Sequence, residues 1–115
     1  MEQQNIEWKE SWKDDYLKTI AAFANTEGGT LVIGKDDNAR AVGVDNAKKL
    51  LEDIPNKIRN LLGLIAEVNL HHQDGNDCIE IRVEPYTVPI SFRGKYYARS
   101  GSTTQQLSGH DLNEL

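Results

Sequence analysis

The stretch Ala22-Phe23-Ala24-Asn25-Thr26-Glu27-Gly28-Gly29-Thr30-Leu31-Val32-Ile33-Gly34 changes its hydrophobic period at a pair of glycines. Upstream, Leu17, Ile20, Ala21 and Ala24 recur at helical spacing; downstream, Leu31-Val32-Ile33 is a short apolar run suited to a buried strand. Gly28 and Gly29 can supply positive φ without a Cβ penalty. Asn25 and Thr26 can satisfy the last polar groups of the helix or the backbone of the turn. The expectation is a helix that passes through a tight turn, with Asn25, Gly28 and Gly29 at the joint, into a buried strand. That strand fixes the loop Gly34-Lys35-Asp36-Asp37-Asn38 at its far end, and recognition or chemistry is expected near this loop.

Working outward, residues 5–9 alternate, with Ile6 and Trp8 on one face and Asn5, Glu7 and Lys9 on the other, which reads as a half-buried strand. Ser11 to Asn25 reads as the first helix. Asp36-Asp37-Asn38 is a turn, and Ala41 to Val44 a short return strand completing a hairpin. Asp45 is placed to cap a second helix, in which Ala47, Leu50, Leu51, Ile54, Ile58, Leu61 and Leu62 hold helical spacing. Pro55 either kinks that helix or splits it in two.

Alternation of Ala66, Val68 and Leu70, then of Ile79, Ile81 and Val83, predicts an antiparallel pair turning at Gln73-Asp74-Gly75-Asn76. A second hairpin, Ile90 to Phe92 and Tyr96 to Arg99, turns at Arg93-Gly94-Lys95. Ser100 to Thr104 reads as a polar loop, and Ser108 with Asp111 as the capping box of a terminal helix. The fold class is α+β: a mostly antiparallel sheet with two main helices packed on it.

At 115 residues the chain is one domain, 1–115, and its end inside a helical turn reads as the N-terminal part of a longer protein. There is no signal-peptide pattern and no bilayer-length apolar run, so no membrane is expected and the cytoplasm is the default setting. A single cysteine, Cys78, excludes an internal disulfide and reads as core. His71 and His72 point to opposite faces of a strand, which disfavours a shared metal. Gly28-Gly29 leads into a strand with no Gly-Lys-Ser/Thr, so it is no phosphate loop and nucleotide hydrolysis is not expected.

The blocks "AFANTEGGTLVIGKDD" (from Ala22), "AVGV" (from Ala41) and "YYARSGSTT" (from Tyr96) resemble the AlbA_2 or Schlafen-type DNA-binding domain. That domain occurs in Schlafen proteins and at the N-terminus of prokaryotic transcriptional regulators of the divergent AAA-4 or RecG-related helicase-like type. The resemblance spans Glu7 to about Thr104. It implies a nucleic-acid-binding regulatory domain, with any ATPase or helicase activity lying outside this chain.

Two constellations carry the candidate chemistry. The basic and aromatic one comprises Arg93, Lys95, Tyr97 and Arg99 with Ser102 and Thr103, extended by Lys48 and Lys49 on the second helix. Guanidinium, ammonium and hydroxyl groups beside tyrosines grip phosphates and stack bases. This binding reading needs no cofactor. Net charge of -5 sets a condition on it, because phosphate affinity then requires segregated positive charge.

The acidic constellation is Glu7 with Lys9 on one strand and Asp37 in the loop after another. Paired carboxylates there would hold Mg²⁺ or Mn²⁺ and place a water against a phosphodiester, with Lys9 stabilising the developing charge. RNA-cleaving Schlafen members use three carboxylates, and the resemblance places Glu2, Glu7 and Asp37 in those roles. The alternative functions are thus a metal-dependent endoribonuclease, and a protein-interaction or dimerisation module forming a homo-oligomer through a sheet edge.

Overall fold

The computed structural model describes residues 5–109; Glu2, His110 and Asp111, and with them the expected terminal helix, lie outside the described residues. Two sheets and two helices make up the fold. A four-stranded sheet runs β1-β2-β4-β3, with β1 Ile6–Lys9, β2 Gly29–Ile33, β3 Glu67–Gln73 and β4 Asn76–Val83. A three-stranded antiparallel sheet runs β5-β6-β7, with β5 Ser91–Phe92, β6 Lys95–Ser100 and β7 Thr103–Gln106. The expected α+β class holds, with one parallel pair, β1 with β2. A helix links those two strands, as a parallel crossover requires.

That helix, α1 (Leu17–Ala24), touches β2 of the first sheet and β5, β6 and β7 of the second. Enclosure on both sides explains its composition: every residue except Lys18 is buried, as in helices that are apolar all round. Helix α2 (Ala47–Leu62) packs on β3 and β4 and buries a single stripe, Ala47, Leu50, Ile54, Ile58 and Leu62. Ile79 and Ile81 of β4, with Leu31 and Ile33 of β2, complete the core.

Several local expectations change. The first helix is shorter than Ser11 to Asn25: Lys13 is extended, a 3-10 turn spans Asp14–Tyr16, and α1 begins at Leu17. The Asp14 carboxylate accepts from the Trp12 indole N–H at 2.8 Å and from Lys57 Nζ at 2.8 Å, which anchors this segment to α2 before the helix starts. Ala41 to Val44 forms no return strand, since one isolated bridge, Lys35 with Ala41, joins it to β2's end. Its backbone turns to other partners, with Val44 N–H donating to Asp77 O at 3.0 Å.

Asn46, not Asp45, occupies the cap position of α2, and it makes no side-chain capping bond. Pro55 lies inside a continuous helix. Its missing N–H costs about 3 kcal/mol in a helix interior, and the buried Ile54 and Ile58 on either side offset it. Ser100 to Thr104 is the tip of a hairpin, because Thr103–Gln106 pairs with β6. The polar composition of β7 concealed a strand that is mostly exposed.

The glycine joint divides its roles. Gly28 adopts φ 80, and a Cβ there would lie 2.6 Å from Val83 O. Gly29 has ordinary φ but faces Phe23, whose ring would be 2.4 Å from a Cβ. Thr26 Oγ1 donates back to Ala22 O at 2.6 Å, satisfying the helix end. Asn25 reaches much further: its Nδ2 donates to Ile90 O and Tyr97 O at 2.8 Å each, and its Oδ1 accepts from Ile90 N–H at 2.7 Å. One amide thereby fastens the end of α1 to both β5 and β6.

Candidate functional site

A cleft of ≈ 320 Å³ opens between β1, α1 and the β6–β7 turn, lined by Glu7, Lys9, Asp15, Tyr16, Lys18, Thr19, Ser102, Thr103 and Thr104. It joins the two constellations that are separate in the sequence. At its base Arg99 Nη1 donates to Glu7 Oε1 at 3.0 Å and to Thr104 Oγ1 at 3.1 Å. Thr104 Oγ1 in turn bonds Thr19 Oγ1 of α1 at 3.3 Å. The Arg99 guanidinium carbon lies 4.9 Å from the centroid of the Phe23 ring, so the charge has an aromatic face as well as a carboxylate partner.

β1 places Glu7 here against the sequence pattern. The alternation suggested that Ile6 and Trp8 would be covered; instead Glu7 is the buried residue of the strand, at 8% exposure. The second sheet explains the inversion, because β6 lays Arg99, 6% exposed, over the polar face of β1. A buried carboxylate with a hydrogen-bonded guanidinium replaces two uncompensated charges.

The lysines stand higher in the cleft. Lys9 Nζ lies 3.7 Å from Glu7 Oε2 and 5.1 Å from the Tyr16 ring centroid, and its side chain keeps 35% exposure. Lys18 reaches Asp15 at 3.0 Å and keeps 37%. Both side chains are part-exposed, each with its ammonium group beside a carboxylate. Ser102 and Thr103 sit at the β6–β7 turn above them, where Thr103 Oγ1 donates to Ser100 O at 2.7 Å.

The remaining candidates lie elsewhere. Asp37 is exposed in the loop after β2 and does not line the cleft. In the same loop the Asp36 carboxylate accepts from Arg40 N–H and Asn38 N–H at 2.9 Å each, and these bonds, Arg40 first, hold its pKa below the ordinary aspartate value. Arg93, at the β5–β6 turn, stacks 4.7 Å over the Phe92 ring, and Lys95 is exposed beside it. Tyr97 packs against the core. Lys48 and Lys49 are exposed in the first turn of α2, next to a larger cleft of ≈ 520 Å³ that Trp12, Val44 and Leu50 line with Glu10 and Asp45.

Divalent-metal chemistry finds a poor donor set in the described part of this site. Glu7 has Arg99 on one oxygen and Lys9 near the other, two cations that compete with a metal ion. Among the described residues no group of three or more His, Cys, Asp or Glu is placed to hold one.

Asp15, Tyr16, Lys18 and Thr19 are cleft residues that the sequence reading did not assign to the site, whereas Thr104 belongs to its hydroxyl-rich loop. A signal existed for Thr19, the one hydroxyl residue from Leu17 to Ala24, a stretch that apart from Lys18 is otherwise apolar. Its buried side chain implies a polar partner.

The family model of Schlafen, AlbA_2 matches residues 2–108, almost the whole chain. The chain belongs to the Schlafen AlbA_2 family. Among solved structures, this AlbA_2 domain resembles the N-terminal domain of a protein from Nitrosomonas europaea described as related to the ATP-dependent DNA helicase RecG. The two are 26% identical, with TM-score 0.68, over 91% of this chain and 84% of that one. It shares its fold with the DIP2311 protein of Corynebacterium diphtheriae, at TM-score 0.76 and 18% identity; the likeness covers 90% of this chain but 22% of that protein. No curated protein matches the sequence. Among the described residues of the AlbA_2 domain, no helix is long and apolar enough to cross a membrane.

Proposed function

We propose that this AlbA_2 domain binds nucleic acid, DNA in the first instance, through the cleft between α1 and the β6–β7 turn. The observation that carries this reading is the set of groups around one opening: the part-exposed side chains of Lys9 and Lys18, and the hydroxyls of Ser102, Thr103 and Thr104. Ammonium and hydroxyl donors are the groups that contact phosphates and position a protein on a nucleic-acid backbone. In the acidic whole, Arg99 offsets the carboxylate beneath the cleft. Asp15, which also lines the cleft, pairs with Lys18 at 3.0 Å, so Lys9, Lys18 and Arg99 exceed Glu7 and Asp15 by a single positive charge against a net charge of -5. Such a site gives modest, strongly salt-dependent affinity. In this reading the domain belongs to a cytoplasmic transcriptional regulator or helicase-related protein, and family membership and the RecG-related relative support the helicase-related setting. Binding in this reading rests on side chains, without a metal.

The test is a native-gel and anisotropy titration of labelled duplex DNA and structured RNA at low and raised salt. Denaturing gels run with and without Mn²⁺ accompany it. Intact substrate bound in a salt-sensitive manner, and lost on joint replacement of Lys9 and Lys18 by alanine, is the expected result. Metal-dependent fragments that vanish in Glu7→Gln would transfer the cleft to the ribonuclease alternative. Absence of salt-sensitive binding would overturn the reading.

A further inference from the structure

We propose that the outer edge of β3 pairs with the same strand of a second copy of this chain, fusing two four-stranded sheets around a two-fold axis. β3 ends the sheet order β1-β2-β4-β3, so among the described residues one of its edges has no strand beside it. Natural edge strands are blunted by proline, lysine, bulges or short length. Glu67-Val68-Asn69-Leu70-His71-His72-Gln73 carries no proline, lysine or glycine and pairs with β4 residue for residue along its whole length. Exposed apolar side chains occur in and near this strand: Leu70 is 45% exposed, Ile65 just before the strand 81%, and Leu61 in the last turn of α2, the helix that packs on β3, 47%.

The sequence of the edge complements itself. In an antiparallel pairing centred on Asn69, Glu67 stands opposite His71 of the second copy, Val68 opposite Leu70, and Asn69 opposite its own mate. Residues opposite one another share a face, so this register sets apolar against apolar on the α2 side and acid against imidazole on the other. Val68, which packs against the core, identifies the α2 side. On the outer face Glu67 already lies 3.7 Å from Arg82, and His71 Nε2 lies 3.5 Å from Glu80. Pairing extends these contacts into one row: Arg82, Glu67, then His71 and Glu80 of the second copy. Centring on Leu70 instead keeps one apolar match, Leu70 against its mate, but sets Glu67 opposite Gln73 and Val68 opposite His72. The pairing of Glu67 with His71 selects a second copy centred on Asn69.

Each copy carries -5, so long-range repulsion opposes the pairing and added salt favours it. That dependence is opposite in sign to nucleic-acid binding, and the two proposals stand or fall separately.

Sedimentation equilibrium of the 115-residue chain from micromolar to millimolar concentration is the first measurement. A monomer–dimer equilibrium that moves toward dimer at high salt is expected. Leu70→Lys should return the protein to monomer with an unchanged circular-dichroism spectrum. Asn69→Cys supplies the register, because directly opposed Cβ atoms lie about 4.5–5.5 Å apart, near disulfide reach. Mild oxidation should cross-link Asn69→Cys into a covalent dimer and leave Gln73→Cys monomeric. A monomer at every concentration overturns the proposal, as does a dimer indifferent to Leu70→Lys in which Asn69→Cys fails to cross-link.

Discussion

Arg99 Nη1 lies 3.0 Å from Glu7 Oε1, with 1% and 11% of the two side chains exposed, joining positions 92 residues apart. The pair ties β1 of the first sheet to β6 of the second beside α1. Removing Arg99 leaves the buried Glu7 with Lys9, 3.7 Å away and part-exposed, as the weaker ion partner, so the loss approaches but does not exceed the order of 3–5 kcal/mol for a broken buried pair. Arg99→Met should destabilise by that order in urea unfolding. Glu7→Gln combined with Arg99→Met should cost clearly less than the sum of the two single replacements. Additive losses would show that the two side chains act independently.

Asn25 fastens α1 to β5 and β6 through three backbone bonds. Asn25→Ala leaves the Ile90 N–H and two carbonyls without this partner, at about 1–3 kcal/mol for each buried group. Asn25→Asp keeps an acceptor for Ile90 N–H but sets a carboxylate oxygen where Nδ2 faced two carbonyl oxygens at 2.8 Å, so at neutral pH it should lose at least as much as Asn25→Ala. Urea unfolding should show that loss shrinking as pH falls and the new carboxyl protonates, while Asn25→Ala shows no such recovery.

The glycines separate two kinds of constraint. Gly29→Ala drives a methyl to 2.4 Å from the Phe23 ring, and overpacking of this sort costs roughly 1–3 kcal/mol. Gly75→Ala, at φ 78 with nothing within 4 Å, meets backbone strain alone, about 1 kcal/mol. Melting temperatures should therefore fall further for Gly29→Ala. Phe23→Leu in the Gly29→Ala background should recover part of that loss.

Lys9 and Lys18 give the proposed nucleic-acid reading its magnitude. Each lysine that neutralises a phosphate contributes about one unit to the slope of log affinity against log salt. Lys9→Ala with Lys18→Ala should weaken duplex binding at low salt and flatten that slope by roughly two units. The same experiment with Lys48→Ala and Lys49→Ala asks whether α2 extends the surface. An unchanged slope in the first double variant would move binding away from the cleft.

Asp14 carries a pH dependence. Lys57, first, and then the Trp12 indole N–H hold its carboxyl below the ordinary aspartate value. A depressed folded-state pKa adds stability above the unfolded-state pKa, and that stability is lost as pH falls through the folded value. The carboxylate is half-exposed, so the effect is small and screened by solvent. Between about pH 5 and pH 2, urea-unfolding stability of the wild type should fall more steeply than that of Asp14→Asn. Parallel curves would contradict the assignment.

Periodicity and turn chemistry determined much of the fold from the sequence alone. The switch of period at Gly28-Gly29 marks the joint of α1 and β2, and Asp74-Gly75 marks the β3–β4 hairpin, where both residues take positive φ. These features are local: a side-chain pattern repeats along one element, and a turn needs particular residues at fixed places. What failed locally did so because a distant partner intervened. Asp14 anchors to Lys57 in place of opening a longer helix, and β7 forms because β6 offers it an edge.

The site was legible as a list of residues but not as a place. Glu7 and Lys9 belonged to one constellation and Arg99, Ser102 and Thr103 to another, and no spacing in the chain relates them. Their meeting depends on two sheets closing over α1, which turns the polar face of β1 inward and makes Glu7 a buried partner for Arg99. Burial and pairing across 92 residues are properties of packed layers, so tertiary structure alone decided them.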